Sequence, residues 1–351
     1  MSTFIIKPIA AAETMPVQDP FLYAVYHKDV YPAGDSKMQA PKNNLKYRMY
    51  HGDRIPGFPQ HPHRGFETIT CTLEGTIDHS DSLGGCGRYG NGDLQWMTAG
   101  KGILYGEMFP LLHPNKENRS RYFQLWLNLP SRKKMVKPNQ VMHWSENITR
   151  FTTEDANVSV TVFAGSLLGH SALPPAKDSF AKIPGSDVNI WHITMKAGST
   201  FTLPPSAENS MRSLYFVEGS GLTLDENTHV IPESSVVEFK DSSAKETILS
   251  NTSMKNIEVL VLQGKPIGEP VVIEGPFVMN TKEEVAQALR DYQKTRFGGW
   301  PWPEEAMVFP REKGRFLSVK GKEEEVPPSV ISDAVTSIEN EKEKKRRQRE
   351  H

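Results

Sequence analysis

Cysteine, net charge and long apolar runs are all scarce in this chain. Cys71 and Cys86 are the only two cysteines in 351 residues, which argues against a disulfide framework and is typical of a reducing compartment. A net charge of -1 gives no basic field for nucleic acid. No stretch has the length and apolar character of a membrane span, and no basic-flanked apolar run marks a secretory signal. We therefore expect an intracellular protein with no membrane and no direct nucleic-acid partner.

Glycine and proline are abundant, at 26 each, and they separate short runs of β-forming residues. Ile69, Cys71 and Leu73 alternate with threonines, which predicts a half-buried strand. No helical pattern of any length occurs in the first 130 residues. The alternation returns from residue 158, and the run LEGT at 73–76 has an echo, VEGS, at 217–220. The pattern predicts an all-β fold of two similar barrels.

The chain divides into three predicted parts. Residues 1–135 form the first barrel, residues 136–295 the second, and residues 296–351 an extension with a charged tail. A capping box of Thr281 and Glu284 predicts one helix near residues 282–292. We expect the aromatic residues of 297–303 to pack across a domain surface, with ligand stacking as the alternative. The basic run at 344–347 is interleaved with glutamates, which favours a solvated tail over a nuclear signal.

The pair His61 and His63 is the first feature that carries chemistry. On an extended strand, residues i and i+2 point to the same face, so both imidazoles can reach one point. Such pairs bind iron, zinc, copper or nickel, although surface histidine pairs are also common. Pro62 lacks an N–H and suits a strand start or a bulge. The second unit has no histidines at the matching place, residues 203–206.

Five motifs together resemble the pirin family. They are RMYHGD at 48–53, HPHRGFET at 61–68, GDLQWMTAGKGI at 92–103, EM at 107–108 and GPFVMNT at 275–281. The resemblance covers roughly residues 15–295, and residues 297–316 resemble an extension of some bacterial-type members. It implies a bicupin, in which two antiparallel jelly-roll barrels face each other and the N-terminal barrel holds a metal. Some members are described as quercetin 2,3-dioxygenases, and others are nuclear proteins that modulate transcription factors.

The resemblance also implies a ligand set for iron, with Fe(II) expected and another divalent metal as the alternative. By position, the ligands are His61, His63, a third histidine and Glu107. The third histidine falls on Tyr105, so this chain departs from the family pattern there. Two histidines and one carboxylate are themselves a set that binds non-haem Fe(II).

Three roles are open for Tyr105. It can ligate as a phenolate, which its ordinary pKa near ~10 makes difficult without Fe(III) or a strong local charge. It can instead hydrogen-bond a metal-bound water or substrate, or simply fill space. Glu67 has the same strand parity as His63, which would place it beside the histidines, and it is the reserve carboxylate ligand. His51 and His79 are the reserve histidines.

The implied function is an iron-dependent dioxygenase that acts on a small enolic or phenolic aromatic substrate with O₂, in which Glu107 can also take a proton. One alternative is a non-enzymatic regulatory protein or redox sensor that docks a partner such as a transcription regulator. Another is a metal-free pseudoenzyme, because Tyr105 replaces the third histidine. We expect a monomer in the cytoplasm, with the nucleus as the alternative.

Overall fold

β-strands dominate the structure, a computed structural model that describes residues 4–9, 14–41, 47–225, 229–324 and 326–327. The charged tail beyond residue 327, with its basic run, lies outside the described residues. The first part of the chain forms strands β1 Phe4–Pro8, β2 Phe21–Tyr31, β3 Gly57–His63, β4 Phe66–Glu74, β5 Thr76–Asp81, β6 Cys86–Gly90, β7 Leu94–Thr98, β8 Ile103–Met108, β9 Asn118–Asn128 and β10 Asn139–His143.

The remaining described residues continue the strand pattern and add helical turns. The strands are β11 Arg150–Thr152, β12 Val158–Ala164, β13 Ser166–Leu167, β14 His170–Ser171, β15 Asn189–Met195, β16 Thr200–Leu203, β17 Met211–Glu218, β18 Leu222–Leu224, β19 His229–Val230, β20 Ser235–Phe239, β21 Thr247–Asn251, β22 Ile257–Gly264, β23 Val272–Glu274, β24 Phe277–Met279, β25 Phe316–Val319 and β26 Lys322–Glu323. The α-helix α1 is Lys282–Thr295, and short 3₁₀ turns are Ser131–Lys133, Phe180–Lys182 and Arg296–Gly298.

The strands form two barrels. In the first, a five-stranded sheet (β10-β7-β4-β9-β2) faces a six-stranded sheet (β26-β25-β6-β5-β8-β3). In the second, a seven-stranded sheet (β1-β20-β17-β22-β15-β12-β11) faces a four-stranded sheet (β16-β21-β18-β19). Neighbouring strands in these sheets run antiparallel. This confirms the predicted all-β bicupin fold with a short C-terminal helix.

Three strands pair with strands on the other side of the predicted divisions at residues 135 and 295. β1 joins the sheet of the second barrel, where Phe4 lies opposite Phe239. β10 follows residue 135, yet it pairs with β7 of the first barrel. β25, from the extension, pairs with β6 of the first barrel. The division at residues 135 and 295 stays a prediction, and these pairings show that the sheets draw strands from beyond it.

The central strands β4 and β7 of the five-stranded sheet are buried on both faces. Ile69 and Cys71 of β4 belong to an apolar cluster that also contains Ile190 and Leu262 of the second barrel. Thr70, on the other face of β4, is only 1% exposed. The prediction of a half-buried strand is therefore wrong. The threonine face lines the barrel interior instead of meeting solvent, because the sheet is enclosed between the two layers.

The interiors of the two barrels differ in chemistry. The second is filled by an apolar cluster that includes Val160, Trp191 and Leu214. In the first, Thr70 of the five-stranded sheet donates to Glu107 of the six-stranded sheet at 3.0 Å, so polar side chains meet across the interior. Among the described residues, the apolar core of the second barrel has no polar side chains suited to a functional site, whereas the interior of the first barrel does.

The predicted helix begins with the predicted capping box. Thr281 Oγ1 accepts from the Glu284 amide at 3.2 Å, and Glu284 Oε2 accepts from the Thr281 amide at 3.0 Å. Val285 and Ala288 form its buried face. Among the residues that the structure describes, no helix combines the length and the apolar character needed to cross a membrane.

A polar network joins the barrels at the edge of their interface. Arg121 of the first barrel donates to Glu258 of the second at 2.6 Å, and His192 Nε2 lies 2.9 Å from the same carboxylate. Burial alone raises the pKa of Glu258, but the hydrogen bonds and charges of His192 and Arg121 outweigh it and lower the pKa to about 2. The ionised carboxylate therefore stabilises the folded state.

The substitution Glu258→Gln tests this network through the pH dependence of stability. Because the folded pKa lies below the ordinary value of 4.5, the stabilisation is present above about pH 4.5 and is lost as pH falls towards 2. The native chain should lose about 2–3 kcal/mol over this window, relative to the variant. Urea unfolding at a series of pH values measures it. Substitution of the exposed Glu208 by Gln is the control, and identical pH profiles for native chain and Glu258→Gln would contradict the assignment.

Candidate functional site

The histidine pair lies on an edge strand. β3 ends the six-stranded sheet, and its pairing with β8 shifts register between Phe58 and His61. Edge strands and bulges are where a sheet tolerates proline, and both Pro59 and Pro62 lie in this strand. The predicted position of Pro62 agrees with this arrangement. The bulge also returns His61 to the same face as Phe58.

The strand register places two predicted site residues opposite each other. His61 of β3 lies opposite Tyr105 of β8, and Tyr105 lies opposite Asp81 of β5. Ring centroids of His61 and Tyr105 are 4.5 Å apart, those of His63 and Tyr105 5.0 Å, and those of His61 and His63 4.9 Å. His61, His63 and Tyr105 therefore form one cluster inside the first barrel.

Both imidazoles are neutral near pH 7. Burial lowers the pKa of His61 to about 4 and the pKa of His63 well below its usual value. His61 Nδ1 lies 2.9 Å from the Pro59 carbonyl, to which it can donate, and this leaves Nε2 as the ring atom with a lone pair. The neutral form is the one that binds metals, and such a carbonyl contact commonly orients a ligating imidazole.

His63 carries an unpaired ring nitrogen. Its Nδ1 is one of nine buried side-chain atoms without a hydrogen-bond partner among the described residues, and Nδ1 of the neighbouring His79 is another. Buried polar atoms are nearly always paired, so an atom of this kind calls for a partner that the protein does not supply. With the neutral ring of His61 beside it, the donor set fits a metal ion.

Glu107 lies on the same face of β8 as Tyr105, two residues further along the strand. Its Oε1 accepts from Thr70 at 3.0 Å and from Tyr89 at 3.3 Å, and its Oε2 accepts from Gln124 at 2.8 Å. Burial raises the pKa of the Glu107 carboxyl, and these donors only partly offset the rise. The side chain is thus held in place by three neighbours and holds a proton more tightly than an exposed glutamate.

Tyr105 is neutral in this environment. It is 2% exposed, and burial followed by the charge of Glu107 raises its pKa well above 10.0. A phenolate at this position would need a strong positive charge beside it. Without one, the phenol acts as a hydrogen-bonding group or as a filler of the space between the imidazoles and Glu107.

In the part of the chain that the structure describes, no three His, Cys, Asp or Glu side chains group as a metal site would require. Tyr105 occupies the third place beside the histidine pair, and the Glu107 carboxylate is engaged by Thr70 and Gln124. The ligand roles of His61, His63, Tyr105 and Glu107 remain predictions.

The reserve ligand Glu67 faces the other barrel. Its Oε1 accepts from Trp96 Nε1 at 3.1 Å, and its Oε2 accepts from the Phe180 amide at 3.0 Å. The sequence analysis placed it beside the histidines by strand alternation. That inference is wrong because β3 ends at His63 and the chain turns at Gly65, which has a φ of +89°. Glu67 therefore lies at the barrel interface.

The two reserve histidines lie in different surroundings. His51 is exposed, and its ring lies 5.6 Å from that of Phe58, outside the cluster. His79 is fully buried, with its ring 5.8 Å from Tyr105, and its Nε2 is 3.1 Å from Asp81 Oδ2. Of the two, only His79 borders the cluster, and it is directed towards Asp81.

An aromatic wall beside the histidines escaped the sequence analysis. The Trp126 ring lies 5.1 Å from His63, 4.4 Å from Phe66 and 4.8 Å from Tyr23. Tyr23 and Trp126 are directly opposite each other on β2 and β9. Strand alternation could have predicted this wall, because Trp126, Gln124 and Tyr122 lie at every second position of β9 and so share the face that the barrel encloses.

Comparison with known proteins identifies both barrels. The profile described as Pirin matches residues 8–127, and that of the pirin C-terminal cupin domain matches residues 190–298. Pirin-like protein 2 of Arabidopsis thaliana is 36% identical over 247 residues, covering 69% of this chain and 71% of that protein. Pirin of Homo sapiens is 33% identical over 264 residues, covering 72% and 82%.

Two bacterial relatives carry an enzyme name. A Pseudomonas aeruginosa protein, provisionally named a quercetin 2,3-dioxygenase, is 37% identical over 242 residues, covering 69% of this chain and 80% of that protein. The crystal structure of quercetin 2,3-dioxygenase from Acinetobacter baumannii is similar with a TM-score of 0.67 at 28% identity, covering 80% of this chain and 87% of that one.

The interface position of Glu67 predicts that Glu67→Gln lowers stability without changing metal content. In the variant, an NH₂ group takes the place of one of the two carboxylate oxygens. That group would face either Trp96 Nε1 or the Phe180 amide, and both of these are hydrogen-bond donors that cannot accept. The expected loss is about 1–3 kcal/mol in the free energy of unfolding. Denaturant unfolding and elemental analysis of the same samples measure both quantities. A loss of metal from a folded Glu67→Gln variant would show that Glu67 is a ligand after all.

Proposed function

The chain belongs to the pirin family, and on that basis we propose that its first barrel is a metal-dependent dioxygenase centre for a small phenolic or enolic substrate. The proposed metal is iron. His61 and His63 would hold it as imidazole ligands, with Glu107 as the carboxylate and Tyr105 beside them. The enzyme names of two bacterial relatives support the reaction class.

The observation that carries this proposal is the His63 ring nitrogen. It is buried without a hydrogen-bond partner among the described residues, and the neutral His61 ring is 4.9 Å away, centre to centre. Two neutral imidazoles and a carboxylate are the ligand types that suit Fe(II), although the described residues do not group these three side chains as a metal site requires. The interior of the second barrel is filled by an apolar cluster.

Bound iron would supply open coordination positions for substrate oxygen and O₂. The protein contributes orientation and a site from which water is largely excluded. Trp126, Phe66 and Tyr23 provide flat apolar surfaces beside the histidines, suited to a planar aromatic ring.

Glu107 is the proposed base. One of its oxygens would take the proton from a substrate hydroxyl, while Gln124 and Thr70 keep the carboxylate in place. Because burial raises its pKa, the ionised form gains affinity for a proton, which suits an acceptor that works on a weakly acidic phenol or enol. The neutral Tyr105 hydroxyl would serve as a hydrogen-bonding group to the substrate.

A metal-free regulatory protein is the second candidate. Tyr105 in place of a histidine favours it, because its phenol has a pKa well above the usual value and is a poor ligand in the neutral form. In that case the barrel would serve as a scaffold for a protein partner such as a transcription regulator. Metal content and O₂ uptake separate the two candidates, since the regulatory protein shows neither.

The substitution His61→Ala tests the metal site. It should abolish iron binding while the barrel stays folded, since the side chain lies at an edge strand and its loss leaves the apolar clusters intact. Inductively coupled plasma mass spectrometry of protein purified without oxygen measures iron, and circular dichroism measures folding. His170→Ala is the matched control, because His170 is an exposed histidine of the second barrel. Full iron occupancy in His61→Ala would overturn the assignment.

Variants of Tyr105 test the proposed activity. Tyr105→His restores the family pattern and should raise the affinity for Fe(II), because a neutral imidazole is a metal ligand and a neutral phenol is a poor one. Tyr105→Phe should retain iron if the phenol only hydrogen-bonds, and should lose it if the phenolate ligates. Iron content and O₂ uptake with quercetin are measured for each variant. A native chain that neither binds iron nor consumes O₂, beside a Tyr105→His variant that does both, would favour the regulatory candidate.

A further inference from the structure

The C-terminal extension crosses the outer face of the sheet that carries the histidine cluster. Arg88 of β6 anchors it: the guanidinium pairs with Asp78 at 2.7 Å and donates to the carbonyls of Phe309 at 2.8 Å and Lys313 at 2.6 Å. Arg88 is 1% exposed. β25 then continues the sheet beside β6. The extension is therefore fixed to the barrel by buried groups.

The extension contacts residues that are adjacent to the site residues. The amide of Gln60, next to His61, donates to the Glu305 carbonyl at 2.9 Å. Trp302 Nε1 donates at 2.8 Å to the carbonyl of Asp81, the residue opposite Tyr105 in the sheet.

A second set of contacts lies at the C-terminal end of the histidine strand. The guanidinium of Arg64, next to His63, lies 4.6 Å above the Phe297 ring. That ring also covers Gly102, where a Cβ atom would come within 2.7 Å of ring carbons. The extension thus reaches the middle and the C-terminal end of β3 and the start of β8.

The histidine strand needs such outside contacts. β3 is an edge strand with a register shift, and its two prolines supply no amide hydrogens to a ladder. Fewer sheet hydrogen bonds hold it than hold a central strand. The Gln60 amide, lying within the register shift, finds its acceptor in the extension.

We infer that residues 296–319 form a brace that sets the position of the histidine strand, with Trp302 as a positioning residue for the site. The inference rests on the proposed metal site for its effect on affinity. Groups that orient metal ligands from outside typically change metal affinity 10–100-fold, so the brace belongs to the site's function as well as to its stability.

The test compares two tryptophan variants of the full chain. Trp302→Phe removes the indole donor to Asp81. Trp300→Phe is the matched control, because Trp300 Nε1 donates at 2.8 Å to Glu304 within the extension itself. Competition with a chelator under anaerobic conditions gives the Kd for Fe²⁺. Trp302→Phe should weaken binding about tenfold, and Trp300→Phe should leave it within twofold of the native chain.

Hydrogen exchange of the metal-free protein provides a readout that does not depend on iron. Trp302→Phe should speed exchange in β5, where Asp81 loses its indole partner, and in the adjoining strands β8 and β3, and should leave β15 of the second barrel unchanged. Uniform acceleration in all strands, or an unchanged Kd in a folded Trp302→Phe variant, would reject the brace. If the native chain binds no iron, the proposed function fails and the exchange pattern alone decides this inference.

Discussion

The five-stranded sheet of the first barrel is the constraint on which the rest depends. One face packs against the second barrel through Ile69 and its neighbours, and the other lines the interior through Thr70 and Gln124. Along β4 and β7, neither face meets bulk water. Most inward polar side chains there are paired inside the barrel, because an unpaired buried polar group costs about 1–3 kcal/mol; the hydroxyl of Tyr122 is an exception among the described residues. The polar neighbours of Glu107 follow from this requirement.

The same requirement makes unpaired buried atoms informative. Gln95 donates to Gln140, and Gln140 donates to Asp81, so these polar groups are paired. His79 Nδ1, Ser80 Oγ and Tyr122 Oη are buried in the first barrel without a hydrogen-bond partner among the described residues. The Nδ1 atom of His63 is another such atom. It lies where the sequence places a metal ligand. The interior of the second barrel is also buried, but it is filled by apolar side chains and does not need a network of polar hydrogen bonds.

Sequence alone could predict what depends on local chemistry. The two-residue spacing within His61–His63 and within Tyr105–Glu107 placed each pair on one strand face, and the structure brings His61, His63 and Tyr105 into contact. The capping box of α1 is equally local. The resemblance to pirins supplied the two-barrel fold, which alternation alone could only suggest.

What sequence could not predict depends on long-range pairing. Strand alternation gives two faces but not what covers them, so the enclosed threonine face of β4 was mistaken for a solvent face. The turn at Gly65 broke the alternation that had linked Glu67 to His63. The extension is held against the outside of the barrel because Arg88 donates hydrogen bonds to its carbonyl groups. No local sequence pattern predicts a contact between residues more than 200 positions apart in the chain.

The most direct test of the central claim is the location of iron in a crystal of the native chain, by anomalous diffraction at the iron edge. The account predicts one strong peak within bonding distance of imidazole nitrogens of both His61 and His63. An absence of anomalous density between these rings in crystals grown with Fe(II), or a peak elsewhere in the chain, would contradict it.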